Sequence, residues 1–291
     1  MELYISILTL ILISVVSVTG VYVLTGLTGM FSLGQAAFMA IGAYVSGIFV
    51  VKVGLPFPVA CAIAIIMSVL VGFVVGLPIV RLRRDYISLV TLGFGEAITA
   101  LLNRTTKLTG GASGFTGIPR ITSLTIVTVS AIVCIILVAL FKTSKYGRQC
   151  IAVRSDELAS RAMGINVPRI KMTAFLLSVA VTSFSGCLYA FFTTYVDPTI
   201  FGWRKSADWV IMVFFGGVNS LTGAVASTFI LTGLPEFLRF LADYRSIFYA
   251  VLVLLIINFK PSGLFGEWEL TPKNVGRLFR PVRKLFSKGG K

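Results

Sequence analysis

The apolar residues of this chain come in long uncharged blocks, and that pattern leaves few folds open. Thr122–Phe141 holds no charge, and its twenty residues are about the length that crosses a hydrocarbon core as a helix. Comparable blocks are Leu3–Thr25, Phe31–Val51, Pro58–Ile79, Tyr86–Leu102 (with one carboxylate) and Met172–Thr194. A transmembrane barrel would need alternation along short strands, which is not seen. Charged residues are 13% of the 291, against roughly 25% in soluble domains. The expected fold is an all-α polytopic integral membrane protein of the cell membrane. It has about eight transmembrane segments, one of them discontinuous or re-entrant. Residues 1–266 form the membrane domain and 267–291 a basic cytoplasmic tail. The first block has no basic flank and no small-x-small site, so it reads as a retained span and not as a signal peptide.

The net charge of +15 becomes informative once divided among loops. Residues 81–85 carry +2, residues 142–171 carry +5, and the stretch from Lys260 onward carries +6. Basic loops stay on the cytoplasmic side, which places all three there and leaves Asn103–Ile121 and Asp197–Lys205 outside. Ser206–Gly233 must then begin and end outside, and its 28 residues are too few for two full crossings. A broken element turning at "GGVNSLTG", residues 216–223, resolves this. Irregular backbone at membrane depth survives only against protein or a watery path, and broken helices mark transport pathways. Ser246–Phe259 would return the chain to the inside. The tail from Pro272 has apolar and basic residues at helical spacing, suited to an anionic lipid surface, although Pro281 would kink a continuous helix.

Polar residues inside the blocks supply the path candidates. "GLTGMFSLGQAAFMAIGAYVSG" (Gly26–Gly47) contains Ser32 and Gln35; a lone amide at the start of a span needs a partner or water. Gly42-x-x-x-Ser46 reads as close helix packing. Gly29-x-x-Ser32-Leu33 is echoed by Gly217-x-x-Ser220-Leu221, too short a match to claim a repeat. Gly216, Gly217 and Ser220 join the candidates. Glu96 lies about 16 Å along its helix from Asp85, at a depth where a carboxylate is a functional hypothesis by default. Three roles compete for it: a structural hydrogen bond to a neighbouring broken helix, which ranks first, a contact to a substrate amine, and a proton site. The four cysteines are isolated and histidine is absent, which argues against a metal or haem site. No cofactor is expected. No nucleophile–base pair or acidic cluster suggests an enzyme, and no soluble module remains to present the basic charge to nucleic acid.

One polar island interrupts this pattern, "VRSDELASRAMGINVPRIK" (Val153–Lys171). Ser155 or Asp156 can cap a helix, Asp156 and Glu157 suit its positive end, and Gly164 and Pro168 stop it. The result is a helix of about eight residues, or roughly 12 Å, too short to span and too polar for a core. Leu158 with Ala162, and Ala159 with Met163, share neighbouring faces. Small alanines there let another protein approach closely, which suits a docking element.

The spacing of Glu157, Ala159 and Gly164 resembles the Glu-Ala-Ala coupling loop of ABC importer permeases, a short cytoplasmic helix seated in a cleft of the ATPase. The wider chain resembles the M-type subunit of branched-chain amino acid permeases. The matching stretches are "SLGQAAFMAIGAY" (32–44), "RLRRDYISLVTLGFGE" (81–96), "TGGASGFTGIP" (109–119), "GRQCIAVRSDELASRAMGIN" (147–166), "FGGVNSLTG" (215–223) and "KPSGLFG" (260–266). Arg84 and Asn219 depart from the subfamily's usual glycines, Glu157 to Gly164 is one residue longer than the generic importer loop, and an N-terminal span common in relatives is not expected. The resemblance implies ABC importer architecture working with a sister H-type permease, two cytoplasmic ABC ATPases and an extracytoplasmic solute-binding protein, with branched-chain amino acids as cargo. It places Asp156, Glu157, Ala159, Ala162 and Gly164 in ATPase coupling. Ser32, Gln35, Glu96, Gly216, Gly217 and Ser220 are the translocation-path candidates. No Gly-x-x-x-x-Gly-Lys-Ser/Thr occurs, so ATP hydrolysis falls to separate subunits. The alternatives are a permease of the same kind for urea, amides or other amino acids, or a secondary transporter or channel, which leaves the docking island without a role.

Overall fold

The computed structural model describes residues 2–82 and 84–237, and beyond them 250–251, 254, 258–260, 263–266 and 268–269. Six described helices are long and apolar enough to cross a membrane. In chain order, α1 (Glu2–Tyr22) runs on into a π-helical turn, Val23–Leu27, and is followed by α2 (Gln35–Val53), α3 (Phe57–Ile79) and α4 (Arg84–Arg104). A short α5 (Thr106–Thr109) lies in the external loop before α6 (Leu124–Thr143); α7 (Lys145–Ser155) and α8 (Glu157–Ala162) follow, then α9 (Val167–Thr193). The last described helices are α10 (Trp203–Gly216) and α11 (Leu221–Phe237). The expected eighth span, Ser246–Phe259, and the basic tail lie largely outside the described residues.

The boundaries follow from local chemistry. Gly54 ends α2 in the left-handed conformation, with its N–H closing onto the last turn. Pro58 sits in the first turn of α3, where its missing N–H costs nothing. Ser123 caps α6 and Asn166 caps α9 through their side-chain oxygens.

Helix α9 is the central post, packed against α2, α3 and α1; α1 in turn packs on α6, α10 and α11. Bilayer helices associate through close van der Waals contact and polar bonds, since lipid is as apolar as leucine. Both devices appear at α9. A Cβ on Gly42 would stand 2.1 Å from the Ser183 carbonyl oxygen, and one on Gly186 would stand 2.0 Å from that of Met39, so only glycine admits this crossing of α2 and α9. Hydroxyl pairs add polar ties, Ser17 with Ser185 at 2.5 Å and Ser183 with Ser68 at 2.8 Å. Ser46 Oγ bonds back to Gly42 O at 2.7 Å, so the Gly42-x-x-x-Ser46 pattern serves packing, as expected.

The broken element is present, with its helix stopping at Gly216 and restarting at Leu221. Its depth refines the expectation. The turn lies level with the inner ends of α1 and α6, where the Asn219 carbonyl accepts from Tyr22 Oη at 3.2 Å and from Lys142 Nζ at 2.6 Å. The outer end is the one that sinks: the Trp203 N–H, at the start of α10, reaches Glu96 Oε1 at 3.4 Å. Fourteen residues of α10 cover only about 21 Å, which suffices because the helix starts below the outer surface. Outside, Phe115 and Val196 form a two-bond bridge between the external loops, at 2.8 and 3.1 Å.

Candidate functional site

The first part of the site is the charged arm between α6 and α9. A Cβ on Gly147 would strike the Phe141 carbonyl at 2.2 Å, so glycine there permits the sharp elbow between α6 and α7. Ser144 caps α7 through Gly147 N at 3.2 Å. Helix α7 was expected as loop; it buries Gly147, Cys150 and Val153 along one stripe. Helix α8 is six residues long, shorter than the eight expected, because it starts only after Asp156 (φ −151°, ψ 114°) and Met163 is already its C-cap. There the Asp156 carboxylate accepts from Leu158 N at 2.8 Å and Ala159 N at 3.0 Å. Gly164 closes the arm with φ +79° in open space, and Ile165 N reaches back to Ser160 O at 3.1 Å.

Leu158, Ala159, Ala162 and Met163 are exposed on this arm, Leu158 at 77% and Met163 at 82%. Large apolar side chains displayed so openly on a charged loop are candidates for an interaction surface. Glu157, on the same helix, has different surroundings. It faces its own subunit, pairing with Lys171 at 2.8 Å and Arg161 at 2.7 Å. Lys171 is only 1% exposed. Partial burial would raise the Glu157 carboxyl, but hydrogen bonds from Lys171 and then Arg161 outweigh it and hold the group below its ordinary value. Glu157 is thus a strut that orients α8. Lys171, not singled out in the sequence, completes it; a lysine one residue before an apolar block was the available signal.

The second part lies at membrane depth, where two helices begin. At the start of α2, Leu33 N donates to Thr91 Oγ1 at 3.1 Å and Gly34 N to Ser32 Oγ at 3.4 Å. A Cβ on Gly34 would meet the Thr91 carbonyl at 2.3 Å, so loop and α4 touch backbone to backbone. Gln35 is fully buried; its Oε1 accepts from Thr182 Oγ1 at 3.3 Å, and Nε2 finds no protein partner. Ala36 N donates to Ser206 Oγ on α10 at 2.9 Å. Ser32, Gln35 and Glu96 therefore lie in one polar region, joined by Thr91, Thr182 and Ser206, which the sequence reading missed. Isolated hydroxyls in apolar helices carry little sequence signal of their own.

Glu96 meets the amide end of α10 through the Trp203 N–H. Its side chain is also exposed on the surface of this chain, as are Gly93, Ala97 and Ala100 on the same helix. The exposed faces of α3 and α6 differ: Ile66, Leu70, Phe73 and Val74, and Val129, Ile132, Val133 and Ile136, are all large and apolar. The remaining path candidates lie elsewhere. Gly216, Gly217 and Ser220 form the inner turn, about 21 Å along α10 from Glu96. A Cβ on Gly216 would fall 2.2 Å from the Gly223 carbonyl oxygen, Gly217 has φ +115°, and Ser220 Oγ caps α11 by accepting from Gly223 N at 3.0 Å. The echoed motifs share a glycine of positive φ but differ locally, Ser32 accepting from Gly34 N two residues on and Ser220 from Gly223 N three residues on. Among the described residues no cluster could hold a metal ion.

Spans around one central post, a broken helix pair and a short charged arm together define a polytopic membrane protein of the permease kind. Comparison narrows the class. The family described as "Branched-chain amino acid transport system / permease component" matches residues 3–258, and the chain belongs to that family. It is similar to the high-affinity branched-chain amino acid transport system permease protein LivM of Escherichia coli K12, 32% identical over 89% of this chain and 69% of the relative. It is also similar to the probable branched-chain amino acid transport permease LivM of Methanocaldococcus jannaschii, 24% identical over 70% of this chain and 68% of the relative. The permease protein LivH of Salmonella typhimurium is 23% identical over 64% of this chain and 61% of its own length. No solved structure matches the chain.

Proposed function

We propose that this chain is one of two permease subunits of an ATP-driven importer for branched-chain amino acids. Delivery by an extracytoplasmic binding protein and power from two cytoplasmic ATPases complete the unit. The observation that carries the reading is the arm α7–α8: an exposed Leu158–Ala159–Ala162–Met163 surface, capped by Asp156, stopped by Gly164 and braced by the Glu157–Lys171 pair. A short helix so fixed from within acts as a rigid lever, passing a movement of its partner into α7 and α6. Transport then requires that the membrane helices have two arrangements with different ATPase contacts.

The face of α4 with Gly93, Glu96, Ala97 and Ala100 belongs against the sister permease and the path between the subunits, since a carboxylate is costly against lipid. The polar helix starts at Gln35 and Trp203 border that path. The LivM and LivH likenesses support a permease pair and the cargo class. The test is reconstitution of the chain with its sister, ATPases and binding protein in vesicles. Leucine, isoleucine or valine uptake that needs internal ATP, and that fails with Ala159→Glu through loss of ATPase association, is expected. Uptake that proceeds without ATPase subunits would sink the reading.

A further inference from the structure

Beside the arm, a strap made by residues 263–266 and 268–269 is stitched to the broken element. Leu264 N donates to Phe215 O at 2.8 Å and Phe265 N to Gly216 O at 3.1 Å, continuing the hydrogen bonding of α10 past its end. A Cβ on Gly263 would stand 2.5 Å from Gly217, so the two backbones are in contact. Ser220 Oγ donates to the Trp268 carbonyl, and Glu269 Oε1 accepts from Leu221 N, the first N–H of α11, at 3.2 Å. The same carboxylate oxygen forms an ion pair with Lys142 on the last turn of α6. Lys142 also donates to Tyr22 Oη at 2.8 Å and to Asn219 O at 2.6 Å.

Four structural units therefore meet at one ammonium group: α1 through Tyr22, α6 through Lys142 itself, the α10–α11 turn through Asn219, and the strap through Glu269. Beside it lies a cavity of about 250 Å³, bordered by Tyr22, Leu27, Ile151 and Arg154. The cavity is a poor anion site, because all three Lys142 donors already have acceptors. Arg154 on α7 donates to the Gly26 carbonyl in the π-helical turn of α1, so the arm grips α1 on the far side of the same space. Lys142 stands two residues before the Ser144 elbow, on the α6 side, so a movement that the arm passes into α6 reaches it first.

We infer that Lys142 and Glu269 are positioning residues for transport: their ion pair clamps the inner turn of the broken helix to α1 and α6 in one arrangement of the permease and opens in the other. This inference rests on the importer function proposed above. Opening the pair would free the strap and the Asn219 carbonyl from α6, so the pair sets when the broken element may follow the ATPases.

The test uses the assembled complex in vesicles and reads substrate moved per ATP hydrolysed. If the unaltered complex shows no ATP-dependent uptake, the importer reading itself has failed, separately from the clamp. Where uptake is present, Glu269→Gln and Lys142→Met are each expected to lower that ratio at least about threefold while the ATPases stay bound, and Lys142→Glu with Glu269→Lys is expected to recover most of it. Singles that keep the unaltered ratio would overturn the inference. Should a single variant fail to assemble, Lys142→Cys with Glu269→Cys joined by a reversible thiol cross-linker decides, since the native cysteines are buried. Cross-linking should stop uptake and reductant restore it; unchanged uptake with the pair joined refutes an opening clamp.

Discussion

The Glu157–Lys171 pair turns the carboxylate of α8 onto a buried lysine of α9. A carboxylate on a docking helix suggests an outward contact, yet a lysine buried to 1% exposure requires a partner, and Glu157 is the carboxylate paired with it. Removing the acid strands the base, whereas removing the base leaves a carboxylate still paired with Arg161. Glu157→Ala should therefore cost about 1–2 kcal/mol, a buried-pair penalty discounted for the partial exposure of the acid. Lys171→Met should cost less, and thermal unfolding of the purified subunit would check the order. The pH dependence has a definite sign. Folding lowers the Glu157 carboxyl, so the unfolded chain holds its proton more tightly. The stabilisation is complete above the ordinary carboxylate value near 4 and is lost as pH falls through the lower folded value. The stability gap between the native subunit and Glu157→Gln should be constant from pH 8 to 6 and shrink only below about 4.

At the scale of elements, glycines separate packing from pathway. On α9, Gly186 admits the Met39 carbonyl, and any side chain there must push two helices apart. Gly186→Val should cost about 1–3 kcal/mol through overpacking and lower the yield of folded protein from membranes. On α4, a Cβ at Gly93 meets nothing within 4 Å, so Gly93→Val should leave the subunit folded. Uptake should nevertheless fall severalfold if that face borders the path, and unchanged uptake would remove α4 from it. The two outcomes are told apart by fluorescence size-exclusion profiles measured beside transport. Legibility differed among elements for physical reasons. The long spans were readable because hydrocarbon demands unbroken apolar length. Helix α7 was missed since its polar composition obscured the buried stripe of Gly147, Cys150 and Val153, although that i, i+3, i+6 spacing was present in the sequence. The break at Gly216–Ser220 was legible from charge arithmetic and glycines, while its depth depended on Glu96 and Lys142, residues far away in the chain.

Across the whole molecule, the sequence states which segments cross but says little about what each outer face meets. Hydropathy averages over a helix: α4 and α6 both qualify as spans and both are mostly unburied in the isolated chain. The difference lies in which residues the fold leaves outside. On α6 these are Val129, Ile132, Val133 and Ile136, a uniform apolar surface; on α4 the middle of the exposed face is Gly93, Glu96, Ala97 and Ala100. Small residues invite another backbone close, and a carboxylate calls for water or a polar partner. Lipid satisfies the first face and neither need of the second. A photoreactive side chain at Ala97 should therefore cross-link to the sister permease in membranes, while the same group at Ile136 should take up lipid alone. Lipid adducts at both positions, with no protein adduct at Ala97 in a complex active in uptake, would place the subunit boundary elsewhere and return Glu96 to a purely structural bond with the start of α10.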